Sequence, residues 1–328
     1  MSLLDDVLAR ALKGIPASVE EGVKLNNECS TNELCRAAHA VRLSRCGSDI
    51  DTCCIVNGRS NMCSEDCKWC SQSRFHATSA ETYPIVPESV STATAVRNHR
   101  LGVRRFSIVT SGRRVTGPQL DEFCALMRKA GEATGGMYLC ASMGLLGLDE
   151  MKKLRQAGVK RYHCNLETAS DLFPSLCSTH SHADKLATIR AAREAGLEVC
   201  SGGIIGMGES MEQRLRLAAE CRDSGAVSLP MNLLNPIKGT PLEATPLLPE
   251  EEVVRSAALM RLIAPDVVIR FAGGRARLSR EATLKMLRGG VNGVMIGDLL
   301  TTAGNTPSAD MEMIADEVTR SNAEISAQ

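Results

Sequence analysis

Three cysteines, Cys63, Cys67 and Cys70, stand at C-x3-C-x2-C spacing in a short polar segment, and the next cysteine along the chain is Cys124. A structural zinc site closes with four protein ligands, so this segment does not fit one. Three thiolates around a four-iron cluster instead leave one iron without a protein ligand. The spacing therefore predicts an iron–sulfur cluster whose open iron binds a small molecule.

Elsewhere, β-branched runs alternate with longer amphipathic stretches, which is typical of repeated βα units around a parallel sheet. We expect eight strands, at Asp51–Val56, Arg105–Val109, Met137–Ala141, Arg161–Asn165, Glu198–Ile204, Ala226–Met231, Val267–Phe271 and Gly293–Ile296. This pattern predicts an α/β fold, a (β/α)8 TIM-type barrel with an N-terminal helical extension. We expect one domain, with the extension at 1–48, including a helical stretch at Leu25–Arg45, the barrel at 49–304 and a C-terminal helix at 305–328, centred on Asp310–Ile325.

Catalytic groups of such barrels lie at the carboxyl ends of the strands. Ten polar or cysteine residues fall within or just after the expected strands: Cys53, Ser107, Cys140, His163, Asn165, Glu167, Cys200, Ser228, Asn232 and Arg270. Core packing does not readily explain such a concentration, so we expect these residues to surround one site.

Composition narrows the function classes. The chain has 328 residues, 44% of them hydrophobic, and a formal net charge of zero, which argues against nucleic-acid and anionic-membrane partners. Fourteen cysteines without a signal peptide point to metal or redox chemistry rather than to disulfides, and predict a cytoplasmic protein. No apolar run approaches membrane-spanning length.

The cysteine segment resembles that of the radical S-adenosylmethionine (SAM) enzymes, and later motifs resemble the biotin synthases in order and spacing. These motifs occupy Cys63–Ser73, Val199–Glu209, Pro230–Leu242, Ile269–Arg275 and Gly290–Thr302. The resemblance implies that Cys63, Cys67 and Cys70 hold a [4Fe-4S] cluster to which SAM binds. It further implies reductive cleavage of SAM to a 5′-deoxyadenosyl radical and insertion of sulfur into dethiobiotin, from an auxiliary iron–sulfur cluster.

Several residues match SAM-binding positions of that family. Trp69 takes the place of the aromatic residue beside the adenine, although ordinary packing is the alternative. Asn165 and Glu167 match residues that bind the ribose, with Glu where Asp is expected. Lys185 stands where the family has an arginine, and it keeps the charge but loses the bidentate fork. Gly206 and Gly208 would let the backbone approach the nucleoside.

The resemblance also implies substrate contacts and partners. Asn232 matches a residue that binds the ureido ring of dethiobiotin. His163 replaces a second asparagine and is either a substrate contact or a structural histidine. A flavodoxin- or ferredoxin-type electron donor and a homodimer are expected on the same ground.

The auxiliary site departs from the family pattern. Cys140, Cys200 and Arg270 match three of its ligands, but Ser107 occupies the position of the remaining cysteine and is a poor iron ligand. We hypothesise that Cys53 takes over. Because side chains alternate along a strand, only one of Cys53 and Cys54 can face the barrel interior, and a one-residue slip would select Cys54. The cluster is then a 2Fe-2S or a larger four-iron cluster.

The remaining cysteines carry less information. Cys164 is a possible extra ligand, although alternation predicts that it points away from the interior. Six others lack a recognisable partner pattern and are interpreted mostly as small buried hydrophobic residues: Cys29, Cys35, Cys46, Cys124, Cys177 and Cys221. Two further functions stay open, a related radical SAM enzyme with another small substrate and a non-catalytic iron–sulfur carrier or redox sensor.

Overall fold

A computed structural model of the chain describes residues 2–301 and 304–327. Thr302, the last residue of one family motif, lies outside the described residues, as does the final residue of the expected C-terminal segment. The chain begins with three helices, α1 (Leu3–Ala11), α2 (Val19–Glu28) and α3 (Thr31–Cys46). The single helical stretch expected at Leu25–Arg45 is wrong, because Ser30 starts a new helix with a capping box to Glu33.

Nine parallel strands of the described chain form one closed sheet. They are β1 (Asp51–Arg59), β2 (Arg105–Thr110), β3 (Tyr138–Ser142), β4 (Val159–His163), β5 (Glu198–Cys200), β6 (Gly203–Ile205), β7 (Ser228–Leu233), β8 (Val268–Phe271) and β9 (Gly293–Met295). The strand order is β5-β4-β3-β2-β1-β9-β8-β7-β6, and an additional pairing of β5 with β7 closes the ring. Since β5 and β6 are two halves of one barrel strand, the predicted eight-stranded barrel is confirmed.

The break between β5 and β6 was not expected, since Glu198–Ile204 was predicted as one strand. At the break, the side-chain oxygen of Asn165 accepts a hydrogen bond from the backbone N–H of Gly202. A Cβ on Gly202 would lie 2.0 Å from the carbonyl oxygen of Pro230, so the backbones approach closely here. Strand β4 also ends at His163, earlier than predicted, which leaves Asn165 and Glu167 on the following loop.

Helices surround the barrel and connect its strands. They are α4 (Glu88–Arg100), α5 (Gly117–Ala133), α6 (Leu148–Gln156), α7 (Phe173–Leu176), α8 (His182–Glu194), α9 (Met211–Asp223), α10 (Glu250–Ile263), α11 (Arg280–Leu287) and α12 (Pro307–Ser326), with a short 3-10 helix at Arg275–Arg277. The C-terminal helix therefore begins three residues before the expected Asp310. No helix in the described ranges is both long and apolar enough to cross a bilayer.

The N-terminal helices are fixed to the barrel by buried contacts. Helix α3 packs along α10, and the backbone N–H of Ala17 bonds the carbonyl of Leu262. Arg261 on α10 is fully buried, and its guanidinium donates to several backbone carbonyls and to Asn292. Because buried polar groups need partners, this network fixes the loop before β9.

Candidate functional site

A cavity of about 430 Å³ opens at the carboxyl ends of the barrel strands. Fourteen of the residues that the sequence analysis expected around one site border it: Cys53, Cys63, Cys67, Trp69, Cys70, Ser107, Cys140, His163, Asn165, Glu167, Lys185, Cys200, Asn232 and Arg270. Gly206, Gly208 and Ser228 are absent from this lining. The cavity thus brings the residues of the cysteine segment and those of the barrel floor into one space.

The segment after β1 holds the thiols of Cys63 and Cys70 among backbone donors. The N–H of Gly112 points at the Cys63 sulfur from 3.1 Å, and the N–H of Glu65 bonds it as well. Burial raises the pKa of the Cys70 thiol to about 11, and the backbone of Gln72 and Ser73 opposes that rise. Backbone N–H groups aimed at sulfur suit a thiolate or cluster ligand, so these residues fit the expected cubane cluster.

A second segment, at 177–180, lies against the cysteine loop. The Asp66 carboxylate accepts hydrogen bonds from the backbone N–H groups of Ser178, at 2.9 Å, and Thr179, at 3.2 Å, and from both of their hydroxyls. The Lys68 N–H bonds the carbonyl of Leu176 at 3.0 Å. The loop is therefore fixed to the barrel by residues that the sequence analysis did not single out.

Glu167, Asn165 and Lys185 form a polar group at the end of β4. Glu167 has φ 73°, an uncommon left-handed conformation for a residue with a side chain. Its carboxylate accepts from the Asn165 amide at 3.3 Å and lies 3.9 Å from the Lys185 ammonium. Burial opposes the charge of Lys185, but Glu167 together with nearby cysteines outweighs burial and raises the pKa of the lysine. The group can bind a polyhydroxyl ligand and a carboxylate.

Trp69 and the glycines lie next to this group. Trp69 packs edge-on against Phe173, with ring centroids 6.5 Å apart, beside a small cluster of Leu176, Met207 and Leu234. The Glu209 carboxylate accepts from the backbone N–H groups of Gly206 and Met207, both at 2.7 Å. Glu209 thus orders the glycine turn itself.

Asn232 and His163 border the middle of the cavity. The Asn232 amide donates to the Gly203 carbonyl at 3.0 Å and accepts from the Gly273 N–H at 2.8 Å. One amide hydrogen and one oxygen lone pair remain for a ligand. His163 pairs with Cys200 on the neighbouring strand. Burial disfavours its charge, but Cys200 outweighs burial and raises the pKa of His163.

Three buried thiols, those of Cys53, Cys140 and Cys200, lie on the cavity floor within electrostatic range of one another. Cys54 faces the other way, because its sulfur contacts the Arg105 carbonyl at 3.5 Å and lies in the core beneath the helices. Burial raises the pKa of Cys140 to about 12. Burial also opposes the Cys200 thiolate, but His163, Arg270 and Arg161 together outweigh burial and lower the pKa of that thiol to about 7.

Arginines surround these thiols, and two of them were not anticipated. Arg270 pairs with Asp51 at 2.7 Å, and Arg105 pairs with the same carboxylate at 2.8 Å. Arg161 pairs with Glu198 at 2.6 Å and also borders the cavity. Inward-facing arginines on β2 and β4 were a signal in the sequence, since charged side chains are rarely buried without a role.

Several buried polar atoms of the barrel lack a hydrogen-bond partner among the residues that the structure describes. Within the described part of the chain, Ser107 Oγ, Ser228 Oγ and Arg105 Nη1 are buried and make no hydrogen bond. Buried polar groups are normally paired, so such atoms indicate a missing polar or ionic group. Three thiols, excess cationic charge and unpaired donors fit an anionic auxiliary cluster.

Two other cysteines depart from expectation. Cys164 borders the cavity although strand alternation predicted otherwise, because β4 ends at His163 and alternation stops there. Cys177 is buried, but it also has polar partners that the sequence did not indicate, since its sulfur lies 3.7 Å from that of Cys67 and 3.3 Å from Nδ1 of His180. The Cys67 thiol donates to it and lowers the pKa of Cys177.

Family comparisons agree with this architecture. Residues 59–221 match the model of the Radical SAM superfamily, and residues 230–317 match the Biotin and Thiamin Synthesis associated domain. The biotin synthase of Porphyromonas gingivalis is 44% identical over 311 residues, covering 95% of this chain and 94% of the relative. That of Akkermansia muciniphila is 45% identical over 316 residues, covering 96% and 98%.

Solved structures share the fold at much lower identity. HydG, a maturase of the [FeFe]-hydrogenase, superposes with a TM-score of 0.80 at 13% identity, covering 96% of this chain and 74% of that one. Methylornithine synthase gives a TM-score of 0.74 at 19% identity, covering 98% and 96%. At these identities the likeness concerns the barrel alone.

Proposed function

Because the chain belongs to the biotin synthase family of radical SAM enzymes, we infer that its cavity converts dethiobiotin to biotin by sulfur insertion. The observation that carries this inference is the arrangement of two separate groups of thiols around one cavity, one at the mouth and one on the floor. A substrate held between them reaches both a SAM site and a sulfur source. A related enzyme with another substrate would not need the second group.

Cys63, Cys67 and Cys70 would hold the [4Fe-4S] cluster at the mouth, and Cys53, Cys140, Cys200 and Arg270 would hold the auxiliary cluster on the floor. When bound, the first cluster supplies the electron that cleaves SAM, and the second supplies sulfur. Support for Cys53 comes from its place in the cavity lining, whereas Cys54 contacts the core. The auxiliary cluster is proposed as 2Fe-2S or as a larger four-iron cluster.

Residues at the end of β4 are proposed to bind SAM. Glu167 and Asn165 offer a carboxylate and an amide to the ribose hydroxyls, and Lys185 offers a cation to the SAM carboxylate. Trp69 provides an apolar face for the adenine, supported by its packing on Phe173. Gly206 and Gly208 are proposed only to let the backbone approach the nucleoside of SAM, and Glu209 orders the turn that contains them.

Asn232 is proposed to bind the ureido ring of dethiobiotin, because its amide retains one free hydrogen and one free lone pair. His163 borders the cavity, is paired in register with Cys200 and is proposed to fix the substrate or the Cys200 sulfur. Cys140, Cys200 and Arg270 on the floor are buried, and exclusion of water there would protect reactive species from quenching.

The other proposals rest on the family resemblance. We propose a flavodoxin- or ferredoxin-type electron donor, a homodimer and a single domain with extension, barrel and C-terminal helix. A cytoplasmic location is proposed because all fourteen cysteines are free thiols, which suits a reducing compartment.

Anaerobic incubation of the reconstituted chain with SAM, a strong reductant and dethiobiotin tests the function. Formation of both 5′-deoxyadenosine and biotin is the expected result. Deoxyadenosine only with a different substrate would favour the related enzyme, and neither product with any substrate would favour a cluster carrier or redox sensor.

A further inference from the structure

Beside the cysteine loop, the segment at 177–180 brings a second thiol and an imidazole against Cys67. Sulfur atoms of Cys67 and Cys177 are 3.7 Å apart, and the candidate ligand atoms of Cys67, Cys177 and His180 all lie within 4.8 Å of one another. The three residues come from two loops that hydrogen bonds hold together, so the grouping does not depend on one flexible segment.

The sulfur separation matches two ligands of one tetrahedral ion. With zinc–sulfur bonds of about 2.3 Å, two thiolates of a tetrahedral site lie about 3.8 Å apart. Cysteines that hold one four-iron cubane cluster instead each bind a different iron, which places their sulfurs farther apart. Cys177 is therefore spaced as a partner of Cys67 on a single ion, not as a fourth ligand of the cubane cluster.

The His180 ring lies within reach of both a carboxylate and the Cys177 sulfur. Its Nδ1 is 2.7 Å from the Glu65 carboxylate and 3.3 Å from the Cys177 sulfur, and its Nε2 is 3.9 Å from that sulfur. A carboxylate on one ring nitrogen fixes the tautomer and makes the other nitrogen a better ligand. The Asp66 carboxylate is engaged by two backbone N–H groups of the segment at 177–180, so the ligand set rests on the three grouped residues.

We propose that the cluster-free chain binds one zinc ion through Cys67, Cys177 and His180, and that this ion excludes the cluster because both require Cys67. Binding releases the thiol protons, and two thiolates then neutralise the dication without any redox step. The zinc site stands without the proposed function, and only the exclusion of the cluster depends on it.

Cobalt(II) provides the direct probe, because its tetrahedral thiolate complexes absorb in the visible and near-ultraviolet. The cluster-free full-length chain is titrated anaerobically with cobalt, and bound cobalt is then displaced with zinc. One cobalt per chain with sulfur-to-metal charge transfer is expected. Cys177→Ala and His180→Gln should each weaken binding at least tenfold, whereas the matched loop variant Cys70→Ala should not.

Four results would overturn the proposal: loss of binding in Cys70→Ala with full binding in Cys177→Ala, equal loss in all three variants, unchanged binding in all three, or no charge-transfer band in the parent chain. Thermal unfolding of each variant checks that it is folded.

The exclusion of the cluster by zinc is tested separately by adding ferrous iron and sulfide to the zinc-loaded chain. Slow cluster assembly is expected in the parent and faster assembly in Cys177→Ala, and equal rates would contradict the exclusion.

Discussion

At the residue scale, the side chains of two adjacent cysteines on β1 point in opposite directions. Cys53 faces the cavity with Cys140 and Cys200, and Cys54 faces the core. Alternation along a strand required that only one of them point inward, but a one-residue slip in register would have exchanged them. The sequence therefore limited the choice to two, and the register of β1 against β2 and β9 decides it.

Replacing Cys53 with serine should remove the auxiliary cluster and leave the first cluster in place, since serine binds iron poorly beside thiolate. Iron and sulfide are counted per chain after anaerobic reconstitution, with Cys54→Ser as the matched control from the same strand. Unchanged iron and sulfide in Cys53→Ser would remove Cys53 from the site.

Arg161 borders the same cavity and pairs with Glu198 at 2.6 Å. Arg161→Met removes a buried positive charge near the thiols, which disfavours adding an electron to a nearby cluster. We expect the auxiliary potential to become more negative, on the order of 100 mV, with partial recovery in Arg161→Lys. Redox titration followed by electron paramagnetic resonance measures this, with exposed Arg190→Met as control. Equal potentials in Arg161→Met and the control would contradict the assignment.

At the element scale, strand order and strand number followed from sequence periodicity, but the division of the fifth strand did not. That break depends on contacts between distant segments, Gly202 with Pro230 and Gly203 with Glu167. Local propensity does not reflect contacts between distant segments, and for this reason β4 was also expected to extend to Asn165. The left-handed backbone conformation of Glu167, with φ 73°, occurs beside the same contacts and could not be predicted from the sequence either.

The close approach of Gly203 to Glu167 gives an element-scale prediction. A Cβ on Gly203 would lie 2.2 Å from the Glu167 carbonyl oxygen, so Gly203→Ala must displace the β4 loop. SAM affinity, measured by equilibrium dialysis, should fall at least tenfold.

Gly131→Ala is the matched control, because this glycine lies inside α5 with a side-chain carbon 3.3 Å away that can move. It should keep SAM affinity and be neutral or slightly more stable, since alanine is favoured in helices. Normal SAM binding in Gly203→Ala would show that this contact does not position Glu167.

At the scale of the whole molecule, the third N-terminal helix, α3, meets the last helix, α12. His39 on α3 bonds Glu324 on α12 at 2.7 Å, and Arg42 bonds Ser321 at 2.7 Å. Composition and periodicity predicted both helices, but not that they pack together, because that contact joins residues separated by nearly the entire chain.

This contact predicts a pH dependence of stability. Burial, only partly offset by Glu324, lowers the pKa of His39 below its usual value near 6.5. The folded chain thus favours the neutral imidazole of His39. The stabilising contribution of this residue to the free energy of unfolding is therefore complete above pH 6.5 and is lost as the pH falls through the folded pKa. Urea unfolding between pH 7.5 and 5.5 should show a smaller loss of stability in His39→Gln than in the parent. Parallel pH profiles would contradict this role for His39.

We propose that a SAM cluster and a second cluster that donates sulfur border the same cavity. The most direct measurement is a single turnover with SAM, reductant and dethiobiotin, after both clusters are reconstituted with ³⁴S-sulfide. Mass spectrometry should find one ³⁴S atom in each biotin from the parent chain and no biotin from Cys53→Ser. Biotin with unlabelled sulfur, or labelled biotin at parental yield from Cys53→Ser, would contradict the account.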